Sequence, residues 1–198
     1  MNKIKNHGHY EPEFSDLLDQ SYDSYVKLTK SRAIFVVEDI TKKLAADVTA
    51  LLLHYNEVDP NEEITIYINS NGGDVFAFLN MYDIINLISA PVRTVCLGKA
   101  YSAGALLLAS GTKGRRFAWK HSSIMIHQVQ VLFPLPGDID HIGSNNYFEF
   151  LDKKNNAVIK ILANATGVSS DEVLEHCKQD LYMNAQETLN YGIIDSII

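Results

Sequence analysis

The sequence predicts one α/β domain with a mostly parallel sheet. Short β-branched runs alternate along the chain with segments of helical periodicity, and no internal repeat or low-complexity linker interrupts the alternation. Hydrophobic residues make up 46% and charged residues 21% of the 198 residues, which is typical of a globular chain. Strands separated by helices need crossover connections, and such connections build parallel sheets.

The predicted elements can be given in chain order. Strands are predicted where apolar residues form short runs, at 33–37, 64–68, 92–97, 116–119 and 124–126. Helices are predicted where apolar residues recur at helical spacing, or small residues cluster, at 42–57, 75–88, 102–109, 147–165, 171–179 and 185–191. Asp39 or Thr41 is a suitable cap for the first helix, and the turn residues at 58–61 end it. Residues 1–20 are polar and are expected to form a loosely held arm.

Composition excludes several classes of protein. The 17 Lys and Arg against 24 Asp and Glu give a net charge of −7, which argues against a nucleic-acid binder. Two cysteines, Cys96 and Cys177, cannot form a disulfide framework, so we expect a reducing compartment. No apolar run reaches the roughly 18–20 residues of a membrane helix, and residues 1–10 lack the apolar part of a signal peptide. A soluble, cytoplasmic protein without a bound metal or cofactor is expected.

Ser102 is a candidate nucleophile. It lies between a predicted strand and a helix of small residues, whose first N–H groups would be free to point at it. These features suit a nucleophile whose attack creates an oxyanion. The alternative is a serine that caps a buried helix.

Three other segments carry polar groups next to predicted elements. Gly73 follows a strand in the loop Ser-Asn-Gly-Gly, where paired glycines allow close approach of another backbone. His127 ends an apolar strand, and Asp180 lies where a helix gives way to a loop. A buried core histidine and a helix-capping aspartate are the alternatives for these two residues. Together the segments supply a nucleophile, a base, an acid that orients the base, and backbone donors.

Five sequence blocks resemble the Clp protease proteolytic subunit family, ClpP. In chain order they are YINSNGG at 67–73, AYSAGA at 100–105, GTKGRR at 111–116, MIHQ at 125–128 and YGIID at 191–195. The similarity extends from about residue 21 to residue 198, so that range is expected to be the peptidase domain. The resemblance implies the family's fold, a crotonase-like spiral of ββα units with a protruding helix–strand handle.

The resemblance also implies a mechanism. Ser102 corresponds to the nucleophile, His127 to the general base and Asp180 to the residue that holds the imidazole. The backbone N–H groups of Gly73 and Ala103 correspond to the oxyanion hole. The implied activity is serine endopeptidase cleavage of unfolded polypeptides by acyl-enzyme hydrolysis, without a metal or cofactor in this subunit.

The chain departs from the family's pattern near the expected site. Asn71 stands where the family usually has proline. After His127 and Gln128 the family usually reads Pro-Leu-Gly-Gly, whereas here Val129 follows and the segment up to Pro136 is longer. Gln179 replaces a basic residue that commonly precedes the aspartate and helps to join two rings.

Assembly is likewise implied by the resemblance. Members of the family form two stacked heptameric rings, a homo-oligomer of fourteen subunits, and dock a hexameric AAA+ unfoldase ATPase. Tyr67, Leu87 and Ile198 match positions of the docking pockets, although ordinary packing is their alternative role.

Two other functions are compatible with the same sequence. A non-catalytic ring subunit of a mixed Clp complex would resemble the family but would typically lack triad residues, which are intact here. An acyl-CoA enzyme of the related crotonase fold would need acidic bases and a CoA pocket. Labelling by a serine-reactive probe would distinguish the peptidase from the non-catalytic subunit. Binding of an acyl-CoA would favour the acyl-CoA enzyme.

Overall fold

A computed structural model describes residues 27, 28, 30–130 and 141–198, and of residues 141–146 it describes only the backbone. The predicted arm at 1–20 lies outside the described residues. The chain divides into two compact units, Met1–Ala33 and Ile34–Ile198. In the described part of the first unit, the Leu28 carbonyl accepts hydrogen bonds from the backbone N–H and hydroxyl of Ser31, at 3.1 and 2.7 Å.

Residues 27, 28 and 30 are helical, and seven strands and six helices with bounds in the described ranges follow them. The strands are β1 Ala33–Val36, β2 Ile64–Ser70, β3 Val92–Tyr101, β4 Arg116–Ala118, β5 Ser123–Ile126, β6 Leu181–Asn184 and β7 Ser196–Ile197. The helices are α1 Lys42–Val58, α2 Val75–Leu87, α3 Ala103–Ala109, α4 His141–Thr166, α5 Ser170–His176 and α6 Ala185–Tyr191.

All seven strands belong to one sheet. Its main path runs in the order β1-β2-β3-β4-β7, and β5 pairs with both β3 and β6. The pairs β2–β3, β3–β4, β3–β5 and β4–β7 are parallel, whereas β5 and β6 are antiparallel. The strand β3 therefore stands at the branch point of the sheet, and the serine at position 102 follows its last residue.

Side-chain caps fix where several helices begin. Thr41 accepts a hydrogen bond from the backbone N–H of Leu44 at the start of α1. The carboxylate of Asp74 accepts from the N–H groups of Phe76 and Ala77 at the start of α2. Both α5 and α6 begin with reciprocal capping boxes. These local signals fix where four of the helices begin.

The core lies beneath one face of the sheet. Alternate residues of β2, Ile64, Ile66 and Ile68, are fully buried, as expected when successive side chains of a strand point to opposite faces. All seven residues of α3 are buried too. The small residues of α3 let this helix pack deep against the sheet.

A buried ion pair holds β4 to the C-terminal segment. The Arg116 side chain is 1% exposed and donates to both carboxylate oxygens of Asp195, at 2.9 and 2.6 Å. Burial acts to raise the pKa of Asp195, but hydrogen bonds and charge from Arg116 outweigh it, so the net pKa is lowered. The pair thus stays charged at neutral pH and secures the edge of the sheet.

The alternation of strands and helices predicted from the sequence is confirmed, with differences at the ends of elements. The helix predicted at 171–179 ends at His176, and two short strands, β6 and β7, were not predicted. Cys96 and Cys177 are free and buried. Of the helices in the described ranges, none is long and apolar enough to cross a membrane.

Candidate active site

Ser102 occupies a sharp turn between β3 and α3. Its backbone φ is +52° and its ψ is −122°, a conformation that costs a residue with a side chain about 1–3 kcal/mol. Its N–H donates to the Met125 carbonyl at 2.8 Å, and its own carbonyl accepts from Ala105 and Leu106. Its side chain makes no capping hydrogen bond to α3. Capping, the alternative role for this serine, is therefore not what holds it there.

The glycine loop lies directly against this turn. A Cβ atom on Gly72 would lie 2.8 Å from the Cβ of Ser102 and 2.9 Å from the nitrogen of Ala103. The Gly72 N–H donates to the Ser70 hydroxyl at 3.0 Å, and that hydroxyl donates to the Glu38 carbonyl at 2.6 Å. Only residues without a side chain can bring the two backbones this close.

A segment before α1 fixes the other side of the loop. Ile40 donates its N–H to the Gly72 carbonyl at 2.7 Å, and its carbonyl accepts from Asp74 at 2.8 Å. Gly73 has a φ of +145°, and a Cβ there would lie 2.4 Å from the Ile40 carbonyl oxygen. Across the described ranges, the N–H groups of Gly73 and Ala103 donate to no protein acceptor. Two backbone donors are therefore left available beside Ser102.

His127 and Asp180 face each other at the ends of two paired strands. His127 follows β5, Asp180 precedes β6, and the register pairs Ile126 with Leu181. The imidazole Nδ1 lies 3.6 Å from a carboxylate oxygen of Asp180. This separation is slightly longer than a hydrogen bond, and Nδ1 is buried without a hydrogen-bond partner among the described residues. The imidazole and the carboxylate are thus adjacent but do not form a hydrogen bond.

Burial controls the protonation of this imidazole. The side chain of His127 is 12% exposed, whereas that of Asp180 is 46% exposed. Burial lowers the pKa of His127 below its usual 6.5, and the nearby charge of Asp180 opposes this shift only in part. The imidazole is therefore neutral at pH 7, the state in which one ring nitrogen can accept a proton.

One cavity of about 910 Å³ joins these groups. Ser102, His127 and Asp180 all line it, and so do Gly73 and Ala103. The rest of its wall is mainly apolar, from residues such as Phe76, Leu106, Met125, Leu151 and Leu162. A cavity of this size, with few polar groups converging in an apolar wall, is typical of a site that binds a small molecule or a peptide side chain.

The three residues assigned to docking lie elsewhere. Tyr67 is half-buried on β2, and its ring stacks on that of Phe35 with centroids 5.2 Å apart. Leu87 ends α2 and is 72% exposed, and Ile198 is 50% exposed beside β4. The structure does not bring them to the cavity.

Several residues at or beside the site carry no signal in the sequence. Ile40 and Met125 act through backbone groups, for which residue type carries no signal. Phe76 and Phe150 stack with centroids 5.7 Å apart, and the Lys154 ammonium lies over both rings. Their joint position on α2 and α4 depends on how these helices approach, which the spacing of the residues does not give.

The arrangement has the components that serine hydrolases use: a hydroxyl, an imidazole, a carboxylate and free backbone N–H groups at one cavity. A family model described as Clp protease matches residues 17–198. Proteins named ATP-dependent Clp protease proteolytic subunit 2, from Chlamydia trachomatis serovars D and A, are each 39% identical over 181 residues. These residues cover 91% of this chain and 87% of each relative.

The chain belongs to the Clp protease family, and it is a serine protease. Its mostly parallel α/β architecture agrees with the family's fold, so the fold inferred from the five sequence blocks is confirmed. The match favours neither the acyl-CoA enzyme nor the non-catalytic subunit.

We predict that Gly72→Ala will lower the rate of peptide hydrolysis by about 10²-fold, because the added Cβ must push the loop away from Ser102. Gly167→Ala is the matched control. Gly167 has a φ of +84°, but among the described residues, its two chain neighbours aside, no heavy atom lies within 4 Å of an added Cβ. The control should lose only about 1–2 kcal/mol of stability. Cleavage of a fluorogenic peptide and thermal unfolding, measured on both variants, check this. Equal hydrolysis rates for the two variants would contradict it.

Proposed function

We propose that this protein cleaves unfolded polypeptides with a Ser102–His127–Asp180 triad inside a ring-shaped chamber. The observation that carries the proposal is the convergence of these residues on one cavity in a chain of the Clp protease family. Gly73 and Ala103 act as the oxyanion hole.

Ser102 is the nucleophile in this proposal. Ser102 has a strained backbone that glycine would relieve, and such strain is concentrated at functional sites. The turn presents the side chain to the cavity rather than to the helix that follows. Its hydroxyl attacks the carbonyl carbon of a bound peptide bond.

His127 is the general base. Because burial keeps the imidazole neutral at pH 7, it accepts the Ser102 proton as the serine attacks, and it then donates that proton to the leaving amine. Asp180 faces Nδ1, which favours the tautomer with a proton on Nδ1 and a free lone pair on Nε2. The 3.6 Å separation fits a resting site, because catalytic hydrogen bonds often tighten only around the substrate.

The Gly73 and Ala103 amides stabilise the negative charge that develops on the carbonyl oxygen. Both N–H groups lie at the cavity, next to the strained turn, and neither donates to a protein acceptor within the described ranges. A preorganised donor of this kind contributes a factor of about 10²–10³ to the rate. Water then hydrolyses the acyl-enzyme with His127 again acting as base.

Family membership implies assembly into rings that work with a Clp ATPase. We propose two stacked heptameric rings of identical subunits, with a hexameric AAA+ unfoldase docked on Tyr67, Leu87 and Ile198. The exposure of Leu87 and Ile198 supports this, because large apolar side chains on a surface favour protein contacts. We place the protein in the cytoplasm, where its two free cysteines would remain reduced.

Ser102→Ala should abolish labelling by a fluorophosphonate and lower peptide hydrolysis by about 10⁴-fold or more. Ser110→Ala is the matched control, because Ser110 lies at the other end of α3 and its hydroxyl donates to the Leu106 carbonyl. Intact-protein and peptide mass spectrometry identify the labelled residue. Equal labelling of the Ser102→Ala variant, or labelling at another residue, would overturn the assignment.

The pH dependence of fluorophosphonate labelling should have an acid inflection below 6.5, because burial lowers the His127 pKa. The unfolded chain binds this proton at higher pH than the folded chain, so His127 also contributes stability that is lost as the pH falls below 6.5. Asp180→Asn should move the inflection lower still, since it removes the charge that raises the pKa.

Labelling rates across pH 4–8 test this, with His121→Gln, a variant of an exposed histidine, as the control. An inflection above 6.5, or one that rises in Asp180→Asn, would contradict the role given to burial.

Leu87→Glu should weaken docking of the unfoldase by about 30-fold, the effect of losing a strong interface residue. Degradation of a folded substrate by the protein with a Clp ATPase and ATP should then fall, while cleavage of a short peptide by the protein alone should not change. Leu53→Glu on α1, at a site that is 44% exposed, is the matched control. Equal ATP-dependent rates for the two variants would argue against docking at Leu87.

A further inference from the structure

The segment that follows His127 is held by hydrogen bonds on two sides. The N–H of Gln128 donates to the Cys177 carbonyl at 2.9 Å. The N–H of Val129 donates to the side-chain oxygen of Asn155 on α4 at 3.0 Å. Consecutive N–H groups of an extended chain point in opposite directions, so these two bonds hold the segment from opposite sides.

Only the second of these bonds depends on a side chain. The bond from Gln128 ends on a backbone carbonyl, which any residue at position 177 would provide. The bond from Val129 needs an acceptor that reaches out from α4, and Asn155 supplies it.

Asn155 has a low propensity for the helix in which it lies. Asparagine in a helix interior is less favourable than residues such as leucine or lysine, and Asn155 lies in the middle of the 26-residue α4. Its neighbour Asn156 is exposed, whereas Asn155 is half-buried and turned toward the segment after β5. A partly buried N–H left without an acceptor would destabilise the fold, which gives the residue a reason to be there.

We propose that Asn155 is a positioning residue that fixes the backbone after His127 and thereby the place of the imidazole in the cavity. Gln128 and Val129 also line this cavity, so a shift of the segment changes both the base and the wall beside it. Asn155 itself does not line it. The inference rests on the proposed role of His127 as the general base.

The test compares two substitutions of nearly equal size at one position. Asn155→Leu removes the acceptor and should lower kcat for a fluorogenic peptide by about tenfold, with a smaller change in KM. Asn155→Asp keeps an oxygen acceptor and should stay within about threefold of the unaltered protein. Asn156→Leu, at the exposed neighbouring position, should not change kcat.

A second variant separates positioning from general stability. Val129→Pro removes the N–H that donates to Asn155. In the Val129→Pro protein, Asn155→Leu should therefore no longer lower kcat. Loss of stability alone would lower activity in both backgrounds equally. Thermal unfolding of each variant shows whether it is folded, and if Val129→Pro does not fold, the comparison of Asn155→Leu with Asn155→Asp decides.

An unchanged kcat in Asn155→Leu, or equal losses in Asn155→Leu and Asn155→Asp, would overturn the inference. The inference would also be overturned if Asn155→Leu lowered kcat as much in a folded Val129→Pro protein as it does in the unaltered protein. Fluorophosphonate labelling of the unaltered protein distinguishes failure of the inference about Asn155 from failure of the proposed function. Labelling at Ser102 with an unaffected Asn155→Leu variant contradicts the inference alone, whereas labelling at a residue other than Ser102 contradicts both.

Discussion

The pairing of β5 with two different strands is the constraint on which the site depends. On one edge β5 runs parallel to β3, with Tyr101 beside Met125. On the other edge it runs antiparallel to β6, with Ile126 beside Leu181. Ser102, His127 and Asp180 each lie one residue beyond a paired position. Residues far apart in the sequence are thus brought together by strand register, and a slip of one residue would turn their side chains to the other face.

Backbone contacts then set the details of this arrangement. Ile40 holds Gly72 and Asp74 from one side, and the Ser70 hydroxyl links the same loop to Glu38. The strain at Ser102 persists because its N–H is held by Met125 and its carbonyl by α3. The contact between His127 and Asp180 is longer than a hydrogen bond, at 3.6 Å, and the carboxylate is half exposed.

Much of the architecture could be predicted from the sequence, because β-branched runs and helical periodicity are local properties. The strands β6 and β7 were not found, because they are only four and two residues long. The omission of β6 mattered, since it made Asp180 look like a residue at a helix end, whereas it stands beside a strand that pairs with β5. Motif resemblance indicated the candidate site residues. Strand register brings these residues to one cavity. The contact of Asn155 with Val129 had no signal in the sequence, because it depends on how α4 approaches the sheet.

We propose that Ser102, His127, Asp180 and two amides act together on one carbonyl group. A crystal structure of the protein with a phosphonate attached at Ser102 would show whether they do. We expect a phosphonyl oxygen about 2.7–3.1 Å from the amide nitrogens of both Gly73 and Ala103. We also expect His127 and Asp180 to close to hydrogen-bond distance. An adduct whose oxygen points away from both amides, with the imidazole remote from the serine, would contradict this arrangement.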